Sequence, residues 1–169
     1  VSGGEYIIEN PVDRAEQGTE WHAEQWEEHA PLWIMEEIKE LRRRTRAHKI
    51  TFAQCHEALG SKFQKYTTIM VSERIEPHLR HMNEMGCTCP RGVKHEGRAV
   101  NKKAGKRKYQ SADAAAYPAK MNQLIASAIE RVLARAVDDA TATLDHADNA
   151  ERVRRAEGKP PITASAWTG

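Results

Sequence analysis

The apolar positions of this chain change their spacing from one segment to the next, and the changes mark out elements. Tyr6-Ile7-Ile8 is an unbroken apolar run between Gly3-Gly4 and Glu9-Asn10-Pro11. Such a run, partly β-branched, predicts a short strand buried on both faces, stopped by Pro11, which lacks a backbone donor. Ligands of open α/β sheets bind outside the carboxyl ends of the strands, so Glu9 and Asn10 are placed at a candidate edge. Residues 13–30 carry Trp21 and Trp26 without a period and read as a long loop on that side. Pro31 suits the first position of a helix, and Ile34, Met35, Ile38 and Leu41 then recur at helical spacing among glutamates and Lys39. Arg42-Arg43-Arg44 falls near its end, where cations complement the helix dipole. Ile50 and Phe52 share one face of a second strand, 49–54, and a third, 66–72, is rich in Thr, Ile and Val.

Residues 73–117 read as irregular. Pro118 then opens the longest pattern, in which Met121, Leu124, Ile125, Ala128, Ile129, Val132, Leu133, Ala136 and Val137 follow one another in steps of three and one. Each large side chain of such a stripe stabilises by roughly 1.5–3 kcal/mol only if it is fully covered, so the helix is expected to dock on the sheet. Beyond Asp138 the pattern thins to Leu144 and Val153, and Gly158-Lys159-Pro160-Pro161 ends it. The division that follows is a domain over 1–137 and a helical extension with a loose tail over 138–169.

Bulk properties narrow the class. A chain of 169 residues, 40% hydrophobic and 30% charged, has the size and composition of one soluble domain. No apolar run approaches the ~18 residues of a membrane span, and no basic-then-apolar leader is seen, so an intracellular protein without a membrane partner is expected. Three cysteines, an odd number, argue against a disulfide framework. The chain opens on Val1 and reaches a buried strand within a few residues, which reads as the back part of a longer reading frame.

Charge and ligand types add candidates. The net charge of +2 is unremarkable, but residues 91–108 hold eight Lys/Arg against the single acid Glu96. Arg98, Lys102, Lys103, Lys106 and Arg107 are therefore candidate phosphate contacts, with a merely solvated basic loop as the alternative. Lys65, beside Gln64 and Thr67, is either a strand-entry charge or another phosphate contact. His78, His81, Cys87, Cys89 and His95 fall within eighteen residues. His81, Cys87, Cys89 and His95 offer the ligand types of a zinc site, although Cys-x-Cys is tighter than the usual spacing.

Five blocks in order resemble a family. Gly4-Glu5-Tyr6-Ile7-Ile8-Glu9-Asn10-Pro11 looks like the strand bearing the Glu-Asn motif of DNA cytosine-5 methyltransferases. It is followed by His29-Ala30-Pro31-Leu32-Trp33, Thr51-Phe52-Ala53-Gln54-Cys55, Gln64-Lys65-Tyr66-Thr67-Thr68 and Ala114-Ala115-Ala116-Tyr117-Pro118. The order is similar to a divergent group from virus- and retroelement-related reading frames, and the likeness spans about residues 3–130. It implies the α/β second half of a Rossmann-like, class I methyltransferase-type sheet with flanking helices and a long C-terminal helix. Glu9 would grip the target cytosine, Asn10 brace the turn and Pro11 fix it, with Gln54, Lys65 and Thr67 near the DNA. A carboxyl group suits that task because C5 becomes nucleophilic only once a thiolate adds to the ring and N3 gains a proton, on a base flipped out of the duplex.

The sequence also departs from the family. None of Cys55, Cys87 and Cys89 follows a proline, so the Pro-Cys nucleophile is lacking, as is the glycine-bearing cofactor strand. His56 and Ala58 stand where Gln-x-Arg-x-Arg would place arginines, and Pro11 replaces the usual Val. The resemblance therefore implies a segment inactive alone. S-adenosylmethionine would belong to the complete domain, and the partners would be DNA and the missing N-terminal half or another chain. An amino-methyltransferase turn fits Asn10-Pro11 but not Val12-Asp13. Other readings are a nucleic-acid- or zinc-binding accessory protein of a mobile element or virus, and a relic that folds only against another chain.

Overall fold

The computed structural model of the chain describes residues 4–22, 32–63, 65–90, 100–101, 108–109 and 117–160. They belong to two compact units, one ending at Ile129 and the other beginning at Glu130. The architecture is mixed α/β, with a small three-stranded antiparallel sheet and a long C-terminal helix.

The first unit is built on β1 (Ile7–Pro11), β2 (His48–Ala53) and β3 (Tyr66–Val71), in the order β1-β3-β2. Both outer strands run against β3 and hence parallel to each other. In register, Glu9 faces Ile69, which faces Ile50, and Pro11 faces Thr67, which faces Phe52. All six residues of β3 are buried. Its β-branched sequence suits a strand laddered on both sides. By contrast β1, expected to be buried on both faces, is a half-buried edge strand. An apolar run tells how much surface a strand can bury, not whether a neighbour covers it.

Side chains alternate across the sheet. Tyr6 and Ile8 pack on one face with Trp33, Met70, Ile38 and Leu41. On the other face Ile50 and Ile69 are fully buried. The helix covering the first face is α1 (Glu36–Thr45), preceded by a 3-10 turn at Leu32–Ile34. It starts later than expected because Met35 is extended (ψ 135°), which breaks the turn before Glu36; Pro31 lies outside the described residues. Trp33, 4% exposed, donates its indole N–H to the Pro11 carbonyl at 2.9 Å. Arg46 closes α1 in the left-handed region (φ 53°), and Ala47 N–H caps the Arg42 carbonyl.

Between the sheet and the last helix lie the short α2 (Glu76–Leu79), a 3-10 turn Arg80–Glu84 packed against β2, and a two-residue ladder of β4 (Val100–Asn101) with β5 (Lys108–Tyr109). That ladder lies in the stretch read from sequence as irregular. The long helix α3 runs Ala119–Ala156 without a break, immediately after Pro118. In the first unit Met121 and Ala128 are buried as the stripe requires, but Ile129 is 38% exposed. In the second unit Leu133, Val137, Leu144 and Val153 are at least half exposed. The expectation of a fully docked stripe therefore fails at Ile129, Leu133 and Val137. Gly158 (φ 69°) ends the second unit's helix, with the N–H of Lys159 on the Arg154 carbonyl, and 161–169 lie outside the described residues.

Candidate functional site

The carboxyl end of β1 is a meeting point of distant segments. Pro11 receives the Trp33 indole N–H, and Glu9 accepts a hydrogen bond from the Tyr117 hydroxyl at 2.5 Å. Lys65 Nζ stands 3.7 Å from the other oxygen of Glu9 and 5.0 Å from the centre of the Tyr117 ring. Behind them, Gln54 donates its side-chain amide to Thr67 Oγ1 at 2.8 Å, and its backbone N–H to the Lys65 carbonyl at 2.8 Å. Lys65 and Thr67 enter from the start of β3, two residues apart and so on one face. Tyr117 is delivered by the pair Tyr117-Pro118 that immediately precedes α3.

Glu9 is the pivot. Its side chain is 23% exposed, so the carboxylate is set into the protein rather than waving in solvent. Oε2 is taken by Tyr117, while Oε1 is shielded from water and has no hydrogen-bond partner among the described residues. The Lys65 ammonium balances its charge but is too distant to donate to it. An acceptor buried without a donor costs about 1–3 kcal/mol, so Oε1 marks a place a ligand's N–H would fill. Two neighbouring N–H groups of a planar ring could engage both oxygens if Tyr117, itself 38% exposed, swung aside. The bond to Glu9, with burial and the carboxylate charge behind it, pushes the Tyr117 phenol up to about 12. It is therefore a neutral donor throughout the physiological range.

Other expected site residues are placed differently. Asn10 lies on the opposite face from Glu9, because adjacent strand residues must; it is opposite Thr68 and does not share the carboxylate's pocket. Gln54 and Thr67 are 1% and 0% exposed and are hydrogen-bonded to each other, so they brace the site from within. Arg98, Lys102, Lys103, Lys106 and Arg107 lie outside the described residues. A cationic cleft that the sequence reading missed does appear elsewhere. A cavity of about 560 Å³ on the α1 side is lined by Lys39, Arg42, Arg43, Arg46, His48 and Lys49, with Glu73 as its acid. Lys49 sits 5.3 Å from the centre of the Trp33 ring, and partial burial, with Arg42 nearby, holds its ammonium below the usual lysine range. Arg42–Arg44 had been legible only as helix-end charges; the turn at Arg46 brings Lys49 back beside Arg42.

The cysteines form a second cluster. Cys55, Cys87 and Cys89 have their sulfur atoms within 4.8 Å of one another, close enough to bind a metal ion together. All three are thiols, Cys55 buried and the other two partly so. Cys55 follows β2 in a turn, and the strap 85–89 is held beside it by two bonds, Ala53 N–H to the Met85 carbonyl (2.8 Å) and Glu57 N–H to Thr88 Oγ1 (3.1 Å). Val12, Ala53 and Tyr66 wall the cluster, and Trp21 packs on it, 5.6 Å from Tyr66 between ring centres. Burial first, and then the neighbouring thiols, push the Cys55 thiol up to about 12. Of the zinc ligands expected from sequence, Cys87 and Cys89 are present, exposed His81 on the 80–84 turn is not within range, and His95 lies outside the described residues. Cys55 takes the place that histidines were expected to fill.

Comparison with known proteins leaves the assignment to this geometry: no protein-family model, no curated protein and no solved structure matches the chain. Among the described residues, no helix is long and apolar enough to cross a membrane.

Proposed function

We propose that this chain is the base-gripping portion of a DNA cytosine-5 methyltransferase-like domain, with Glu9 as the group that receives a flipped cytosine. One observation carries the reading. The shielded Oε1 of Glu9, ion-paired with Lys65 but without a hydrogen bond among the described residues, sits where Lys65 and Tyr117 converge, and these three residues come from three separate blocks of the family likeness. The other two blocks meet the same end of the sheet, through Trp33 on Pro11 and Gln54 on Thr67. Protonated N3 and the 4-amino group of cytosine supply the paired donors that a carboxylate takes in bidentate fashion. Lys65 and the cationic cleft at Arg42, Arg46 and Lys49 would hold phosphates, which position a duplex without reading it.

In this proposal the sheet is the closing part of a Rossmann-like, class I methyltransferase-type sheet. The outer edge of β1, which pairs with no strand among the described residues, would be continued by the first half of the domain or by another chain, since an open edge invites a partner strand. S-adenosylmethionine would bind the complete domain. The chain has no Pro-Cys dipeptide, so it transfers no methyl group by itself. The cationic cleft and the thiol cluster favour a second reading, a non-enzymatic nucleic-acid- or zinc-binding accessory protein of a mobile element or virus.

Anisotropy with two duplexes, one fully paired and one with a single mismatched cytosine, separates the readings. Flipping costs least at a mismatch, so the wild type should prefer the mismatched duplex by about 10-fold. Glu9→Gln should lose the preference and keep its affinity for paired DNA. Equal binding of both duplexes by the wild type would leave only the accessory reading.

A further inference from the structure

We propose that Cys55, Cys87 and Cys89 are ligands of a thiolate metal centre that takes zinc. The inference does not depend on the role given to Glu9. Four tetrahedral ligands at a Zn–S distance of ~2.3 Å stand ~3.8 Å apart. The three sulfurs already lie within 4.8 Å of one another, so closing on an ion needs shifts of about 1 Å or less. The donor set is soft, which favours zinc and other thiophilic ions over magnesium or calcium.

The surroundings also suit an ion better than three thiols. Three sulfurs drawn from two segments 32 residues apart gain little from one another as thiols, which are weak donors and weak acceptors. The Cys89 thiol interacts with its neighbour Cys87 and makes a long 3.8 Å contact with the Cys55 carbonyl. Beside the cluster, Trp21 Nε1 and, next along the chain, His22 Nε2 are shielded from water without a hydrogen-bond partner among the described residues. The Trp21 indole N–H cannot ligate an ion, but it lacks the acceptor that a thiolate of the metal-bound form would offer and a neutral thiol offers only weakly. The strap 85–89 has no regular structure of its own, and its hydrogen bonds to the β2 end and the following turn include Ala53 N–H to the Met85 carbonyl and Glu57 N–H to Thr88 Oγ1. An ion would fasten it to the end of β2 as a cross-link does.

Binding is an acid–base exchange with no redox step. Three Cys S–H bonds break, three Zn–S bonds form, and up to three protons pass to the buffer. The direct competitor is oxidation of two of the thiols to a disulfide, which needs an external oxidant and abolishes the site.

The test uses the full chain, reduced and kept anaerobic, titrated with zinc and separately with cobalt(II). About one equivalent of zinc should bind, and cobalt should give the visible absorption of a tetrahedral site with thiolate-to-metal charge transfer. Cys55→Ser, Cys87→Ser and Cys89→Ser should each weaken zinc by more than the roughly 10–100-fold typical of losing an outer-shell partner. His81→Ala should bind as the wild type does. A serine variant that fails to fold is replaced by reversible methylthiolation of the folded wild type, which should block uptake until reduction restores it. Substoichiometric zinc, a cobalt spectrum without thiolate bands, or affinity unchanged in Cys55→Ser would overturn the proposal.

Discussion

Two adjacent residues, Lys65 and Tyr66, lead into two different chemistries. Lys65 reaches the Glu9 carboxylate and the Tyr117 ring, while Tyr66 walls the thiols of Cys55, Cys87 and Cys89. The alternation of a strand sends successive side chains to opposite faces, and the same rule divides Glu9 from Asn10. Around Glu9 the carboxylate face is charged, partly wet and held by a few long-range polar contacts, although Ile50 and Ile69 farther along the same face are fully buried. The thiol cluster is apolar-walled and gathers its groups by packing. One end of a three-stranded sheet therefore offers an ionic pocket and a soft-ligand pocket on opposite faces. The lesson is energetic as well as geometric: at this end the packing around the thiols should carry stability, and the contacts among Glu9, Lys65 and Tyr117 little of it.

The sharpest way to break that contrast is to truncate one tyrosine on each side. Tyr66 is 6% exposed, so Tyr66→Ala should cost about 3–5 kcal/mol, the range for large aromatic residues removed from a core. Tyr117 is 38% exposed, and Tyr117→Ala should cost no more than about 1 kcal/mol. Denaturant midpoints of the two variants decide the matter. Equal losses would mean that the carboxylate face is structural after all.

A smaller effect is expected behind the carboxylate. Thr67→Val keeps the shape of the side chain but removes the acceptor of the buried Gln54 amide. An unsatisfied buried donor costs about 1–3 kcal/mol. Gln54→Leu combined with Thr67→Val should recover part of that loss, because removing both partners is far cheaper than removing one. Chemical denaturation of the single and double variants measures the difference.

What was legible beforehand follows the same division. The strands at 7–11, 48–53 and 66–71 announced themselves through local runs of β-branched residues, and Glu9 and Lys65 through short ordered blocks. The edge position of β1 was not legible, since strand order depends on which chain segments return. Cys55 was missed as a partner of Cys87 and Cys89 because 32 residues separate it from them. Only the strap laid against the β2 turn joins them. Tyr117 was visible as part of a block but not as the donor to Glu9, 108 residues away. The cationic cleft needed the left-handed turn at Arg46, which nothing in a triple arginine announces.

Removing the ion pair itself should barely register. Lys65 and Glu9 are 3.7 Å apart, with side chains 29% and 23% exposed, and such part-exposed pairs contribute about 0.2–1 kcal/mol. Lys65→Met should therefore shift the denaturant midpoint by at most that amount, and less in high salt. A loss of several kcal/mol would show that the carboxylate is left uncompensated when Lys65 is gone.

The smallest effect is a titration, and it tests the bond at the centre of the carboxylate face. The Glu9 carboxylate accepts the Tyr117 proton, and burial and the carboxylate charge add to the effect, so the phenol is held up at about 12, against an ordinary value of about 10. Between those two values the folded protein keeps a proton that the unfolded chain has lost. Stability must then fall as pH rises across that window. The contribution is fully present below about pH 10 and is gone once the folded-state phenol ionises. Exposure of Tyr117 makes the loss small, but its ionisation is directly visible in the ultraviolet spectrum of tyrosine. Of the two tyrosines compared above, Tyr66 is also pushed up, chiefly by burial, so it ionises late in both proteins. In Glu9→Gln the carboxylate charge is gone and the bond weakened, and one phenol should move back toward the ordinary value while Tyr66 stays where it was. If the two titration curves superimpose, the Tyr117 hydroxyl is not held by Glu9 in solution, and Oε2 of that carboxylate is free for a ligand.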